Sequence, residues 1–156
     1  MTEAGGSPCA GCDRLSGRRD FLREFAGLAM LIVVGRPRAS TSEVEYPIPA
    51  ADGALIDRDN QVIVMRQGGF CYAFALSCPH QNTALKWQAE DNRFQCPKHK
   101  SKYAPDGVFL SGRATRNMDR LPIRREGNRL LVNADRVYES NNDAAGWAGA
   151  AVTLRR

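Results

Sequence analysis

Cys78-Pro79-His80 and Cys96-Pro97-Lys98-His99 are the two stretches that decide how this chain is read. Each offers one sulfur and one imidazole nitrogen, and each opens on a Cys-Pro step. Proline fixes its own backbone angle and disfavours helix at the residue before it, so both stretches read as rigid loops. Fifteen residues separate His80 from Cys96, room for one short strand out and another back. Two such loops laid side by side deliver two sulfurs and two nitrogens to one centre. The chain has five cysteines and two histidines, and both histidines follow a cysteine within three residues. Donors of this kind bind transition metals.

Outward from these loops the text is β. Gln61-Val62-Ile63-Val64-Met65-Arg66 and Phe70-Cys71-Tyr72-Ala73-Phe74-Ala75-Leu76 are runs of β-branched and aromatic residues parted by Gln67-Gly68-Gly69, the mark of a hairpin. Their near-continuous apolarity predicts strands buried on both faces. Gly127-Asn128, between Ile123–Glu126 and Arg129–Val132, predicts a second tight hairpin. Leu85–Gln88 and Val108–Leu110 read as shorter strands, and no helical period is found after residue 45. The expectation is an all-β fold, an antiparallel sandwich or barrel over residues 46–139, with residues 140–156 as a C-terminal tail.

Composition bounds the function. A chain of 156 residues, 43% hydrophobic and 25% charged, is one ordinary globular domain with a short appendage. The net charge of +5 is spread: residues 1–42 carry six Arg against four acids, and the rest sixteen bases against thirteen acids. That excess is too diffuse for a nucleic-acid-binding face, and no nucleic-acid partner is expected. Nothing resembles a nucleophile–base pair or a phosphate loop.

Before the β text stands a different kind of segment. Arg18-Arg19-Asp20-Phe21-Leu22-Arg23, followed by the apolar run from Phe25 to Gly35, resembles a twin-arginine export signal. Eleven apolar residues suit a signal core better than a full membrane span. Arginines outnumber on the N-terminal side, which orients that end to the cytoplasm and the body outward. The expectation is a signal or membrane-anchor helix within residues 1–35, with membrane association through residues 18–35, then a polar linker over 36–45. Absence of a clean small-x-small site around Ala39-Ser40-Thr41 favours retention as an anchor. Cys9 and Cys12 lie in the Gly-rich leader with no framework around them, and Cys71 reads as a small buried hydrophobe.

The paired Cys-x-His and Cys-x-x-His loops resemble the Rieske family of iron–sulfur proteins, over roughly residues 45–135. The resemblance implies a Rieske-type antiparallel β fold with a two-loop subdomain that binds a [2Fe–2S] cluster. Cys78 and Cys96 would bind the inner iron, and His80 and His99 the outer. The same four donors could also make a tetrahedral zinc site. Neutral imidazoles in place of two thiolates lift such a cluster's potential into a range of about −150 to +300 mV. Ser101 and Tyr103 stand where high-potential members direct a hydroxyl at a bridging sulfide and a phenol at a cysteine sulfur. There are departures too. Thr83 and Lys98 occupy the positions of an additional loop disulfide, Gln81 and Lys100 replace a usual Leu and Gly, and Gly112-Arg113-Ala114-Thr115 stands for a Gly-Pro-Ala-Pro loop.

What this resemblance implies is an electron-transfer subunit of a quinol-oxidising, cytochrome bc-like complex on the outer face of a bacterial inner membrane. Its partners would be cytochrome b or cytochrome c-type subunits. Two alternatives are the small subunit of an exported molybdenum oxidoreductase such as arsenite oxidase, and the ferredoxin of a ring-hydroxylating dioxygenase. Lys98, Lys100 and Lys102 alternate through the second loop. In extended backbone, alternate residues share a side, so these three are expected to form a basic rim beside His99 for an acidic docking partner.

Overall fold

Val62, Ile63, Val64 and Met65 are all fully buried, and the two faces of this one strand feed two different cores. Ile63 and Met65 pack with Phe74, Leu76, Leu85, Phe94, Tyr103, Cys78 and Cys96. Val62 and Val64 pack with Tyr46, Cys71, Ala73, Leu121, Leu130 and Val132. Side chains alternate across a strand, so a run apolar at every position has to be covered on both sides. That is why these residues form the middle of the molecule.

The computed structural model describes residues 43–154. Eleven strands and one short helix follow in order: β1 Glu43–Pro47, β2 Gly53–Asp57, β3 Val62–Gln67, β4 Phe70–Ala75, β5 Lys86–Gln88, β6 Arg93–Gln95, β7 Lys102–Tyr103, β8 Phe109–Ser111, β9 Ile123–Glu126, β10 Arg129–Asn133, α1 Ala144–Gly149 and β11 Val152–Thr153. They make three antiparallel sheets, ordered β1-β10-β9, β11-β4-β3-β2 and β5-β6-β7-β8. The central sheet is sandwiched between the other two. Gly68 and Gly69 take φ of 58° and 85°, closing the β3–β4 hairpin in a backbone that glycine adopts freely. The Gly127-Asn128 turn joins β9 to β10 in register Arg129↔Glu126.

The architecture is the expected all-β one, with two revisions at its margins. Glu43, Val44 and Glu45 are not linker: they pair with Asn133, Val132 and Leu131 of β10. Their alternating charges gave no strand signal because one face meets solvent. Residues 140–154 are docked, with Asp143 capping α1 through Gly146 N at 2.8 Å and β11 extending the central sheet beside Cys71 and Phe70. A six-residue helix is too short to show a period. The segments expected as export signal and anchor, and Cys9 and Cys12, lie outside the described residues. Among the described residues no helix is long and apolar enough to cross a membrane.

Candidate metal centre

Two hairpin tips carry the donors, and they are built alike. The first, residues 78–83, hangs below the Ser77↔Ala84 bridge at the end of β4; the second, residues 96–101, joins β6 to β7. In each, the Cys N–H donates to the carbonyl five residues on, at 2.9 Å for Cys78 to Thr83 and 2.8 Å for Cys96 to Ser101. In each, the Cys carbonyl accepts from the N–H four residues on, at 2.8 Å from Asn82 and 3.0 Å from Lys100. Both of those fourth residues are left-handed, φ 49° at Asn82 and 60° at Lys100. Asparagine tolerates this conformation; lysine does so at a cost of about 1 kcal/mol. The repeated frame leaves Cys first and His two or three residues on, all within one tight turn.

The donors divide by depth. Cys78 and Cys96 are 0% and 1% exposed and unbonded to each other, while His80 and His99 are half-buried at the rim. The two Nδ1 atoms face each other at 3.1 Å, with the rings inclined at 70°. Nitrogens about 2.0–2.1 Å from one metal ion stand about 3 Å apart, so this separation fits two ligands on one ion.

Two buried hydroxyls stand with the sulfurs. The Tyr103 hydroxyl lies 3.3 Å from Cys78 Sγ, and the tyrosine is fully buried. Burial, then its bond to Cys78, push its pKa far above the ordinary phenol value; it stays protonated, with a hydrogen to give to a thiolate sulfur. Ser101, also fully buried, accepts at Oγ from both Arg113 N and Ala114 N, each at 3.1 Å. With its acceptor capacity used, the hydroxyl retains one hydrogen to give. A protonated phenol against a buried sulfur suits an anionic sulfur-rich group, since hydrogen bonds to sulfur stabilise its more negative state.

A third loop, residues 111–116, presses on the second. Gly112 has φ 118°, and a Cβ there would stand 2.9 Å from Ser101 N and 3.0 Å from Ser101 Oγ. Only glycine lets this loop approach closely enough to deliver its two N–H groups. At the rim, His99 is held below the usual imidazole pKa, first by its own partial burial, then by His80, Arg113 and Lys98. Lys98, Lys100 and Arg113 are exposed, but Lys102 is half-buried in β7 between Gln95 and Ser111. The left-handed turn at Lys100 breaks the alternation on which a Lys98–Lys100–Lys102 rim depended.

Sequence reasoning overlooked Arg120, a cation 4% exposed. Its guanidinium lies 3.7 Å from the Trp147 ring centre and 4.7 Å from that of Tyr72. It donates to Trp147 O at 2.8 Å and to Asp106 O at 2.7 Å, fastening α1 and the turn before β8 to the domain. Partners 14 and 27 residues away leave no local sequence signal.

Fold and site together define a β domain that presents two cysteines and two histidines, side chains of the kind that bind transition metals, on two hairpin tips. The family model for the Rieske [2Fe-2S] domain matches residues 41–123, just over half of the chain, and the chain belongs to that family. It accordingly carries a Rieske-type [2Fe–2S] cluster. Among its relatives are the cytochrome b6-f complex iron-sulfur subunit 1 of Synechocystis sp., 32% identical over 56% of this chain and 51% of that one, and the corresponding subunit of Chlorobaculum thiosulfatiphilum, 29% identical over 48% and 41%. The chain spans about half the length of these relatives. It is also similar to the solved cyanobacterial plasma membrane Rieske protein PetC3 from Synechocystis PCC 6803. There the identity is 24% over 57% of this chain and 97% of that chain, with a TM-score of 0.48.

Proposed function

We propose that this chain is a one-electron carrier, the high-potential Rieske subunit of a membrane-associated quinol-oxidising complex of the cytochrome bc or b6-f kind. The observation that carries the reading is the pair of matching tips: two buried cysteines, one of them against the Tyr103 hydroxyl, and two half-exposed histidines whose Nδ1 atoms face each other. Cys78 and Cys96 would hold the inner iron, and His80 and His99 the outer. The bound cluster supplies a site that takes up one electron and gives it back. Tyr103 donates to Cys78 Sγ, and Ser101 keeps its hydrogen available; both favour the electron-loaded state. With Nδ1 engaged, Nε2 of each rim histidine is the atom left to accept a hydrogen bond and a proton from a donor. The b6-f subunits among the relatives support cytochrome subunits as partners. Residues 18–35 would export or anchor the chain, with the β domain on the outer face of the membrane.

Replacing His80 or His99 with Cys returns negative charge to the outer iron. Either variant should lower the reduction potential or lose the cluster, and a wild-type electron paramagnetic resonance spectrum in either would refute the assignment. A second reading, the small subunit of a molybdenum oxidoreductase, draws on Thr83 and Lys98 where quinol-oxidising members carry bridging cysteines. Haem b co-purifying from detergent-solubilised membranes supports the first reading, and molybdopterin the second.

A further inference from the structure

The three loops at the cluster end, residues 78–83, 96–101 and 111–116, contain Lys98, Lys100, Arg113 and Arg116 and no acidic residue. Arg116 is already neutralised, paired with Asp119 and, at 3.1 Å, with Glu139. Lys98, Lys100 and Arg113 are exposed, and none takes part in an ion pair among the described residues. Residues 43–154 hold fourteen bases and thirteen acids, a net +1. Without these three cations the remainder is −2, so the domain has a positive end on a negative body.

Two further facts single out this end. Lys100 sits at φ 60°, a backbone that glycine adopts freely and lysine only at a cost. Lys98 and Lys100 flank His99 in the second loop, and Arg113 is brought to the same end from the third loop by its N–H on Ser101 Oγ.

We propose that Lys98, Lys100 and Arg113 form a docking ring around the half-exposed histidines that receives an acidic surface of a redox-partner protein. This rests on the electron-carrier reading above. A neutral quinone ring gains little from three cations, and an anionic lipid surface would cover the histidines with headgroups that accept no electron. An acidic patch around a partner's electron-exchange edge is drawn in and aligned by the same charges, and the attraction weakens as salt shortens its reach from about 30 Å at 0.01 M to about 10 Å at 0.1 M.

The test compares full-length wild-type protein with the triple variant Lys98→Gln, Lys100→Gln, Arg113→Gln, which keeps the Arg113 N–H that holds Ser101. The reduced proteins are mixed by stopped flow with two c-type cytochromes, one with an acidic and one with a basic haem edge. One electron passes from the reduced cluster to haem iron(III), giving the oxidised cluster and haem iron(II). At about 10 mM ionic strength the variant's rate with the acidic cytochrome should fall at least about tenfold while its rate with the basic one rises. At about 0.5 M both should come within about twofold of wild type. A changed driving force would move both rates the same way, so opposite movements isolate the docking charge. Unmoved or parallel rates would overturn the proposal. So would wild-type binding to phosphatidylglycerol vesicles that the variant loses, which would make the ring a lipid contact. A wild-type protein without a Rieske electron paramagnetic resonance signal would defeat the electron-carrier reading itself; an intact signal with unmoved rates defeats only the docking ring.

Discussion

Ser101→Ala removes one oxygen and thereby disturbs two loops at once. The Ser101 Oγ accepts Arg113 N–H and Ala114 N–H, each at 3.1 Å, and holds the third loop against the second. Ala114 is 5% exposed, so its N–H would lose its acceptor where water does not replace it, at about 1–3 kcal/mol. The Arg113 N–H is nearer solvent and would lose about 0.5–1.5 kcal/mol. Together the change costs about 2–4 kcal/mol, a large part of the roughly 5–15 kcal/mol that stabilises a domain. For a domain of this size 1 kcal/mol moves Tm by about 4 °C, so the melting temperature should fall by about 8–16 °C. Calorimetry of the cluster-loaded protein measures this, with Thr115→Ala, an exposed hydroxyl in the same loop, as a control that stays within about 2 °C. A redox titration of the same samples reads the other role of the hydroxyl: the potential should fall, because a donor to sulfur has gone. A Ser101→Ala protein that melts within about 4 °C of wild type at an unchanged potential would show that this oxygen neither ties the loops nor serves the cluster.

Tyr103→Phe keeps the ring and removes the donor 3.3 Å from Cys78 Sγ; the potential should drop with the cluster still assembled, and an unchanged potential would reduce Tyr103 to packing. Arg120→Met strips the donors from Trp147 O and Asp106 O and loses the stacking on Trp147, at about 2–4 kcal/mol. Hydrogen exchange should then rise across Ala144–Gly149, and unaltered protection there would refute a fastening role. The Asp57 carboxylate, held down to about 2 by Asn60 first and then by Tyr46, stabilises the fold fully above its ordinary value of 3.8; that contribution fades as pH falls towards 2. Asp57→Asn should therefore flatten the loss of stability between about pH 4 and pH 2, and acid-unfolding curves of unchanged steepness would contradict the linkage.

The four donors needed no structure to be noticed, because Cys-Pro steps and histidines two and three residues on are local features. The hairpins over β3–β4 and β9–β10 were equally legible, since β-branched runs and Gly-Gly or Gly-Asn turns act within a few residues. Three of the short strands were not. β6, β7 and β11 have two or three residues each, too few for any period, and exist because the neighbouring strand offers hydrogen bonds. The Glu-Val-Glu start of β1 reads as polar linker because its apolar face is closed only by Val62 and Val64 of the central sheet.

The basic rim shows most clearly where sequence reasoning stops. Alternation placed Lys102 beside Lys98 and Lys100, a rule that holds only while the backbone stays extended. The left-handed turn at Lys100 interrupts it, and Arg113, from a loop twelve residues beyond Ser101, takes the third place. Ser101's two donors, the closeness of Gly112 to Ser101, and the burial of Arg120 between Tyr72 and Trp147 are of the same kind. The sequence alone showed the paired Cys and His motifs, the β character and the strands with long apolar runs, because each depends on covalent geometry or on burial periodicity read within one segment. Tertiary structure alone decided which glycine, which backbone N–H groups and which cations meet those loops, because such contacts join segments that are distant along the chain and adjacent only after the sheets pack.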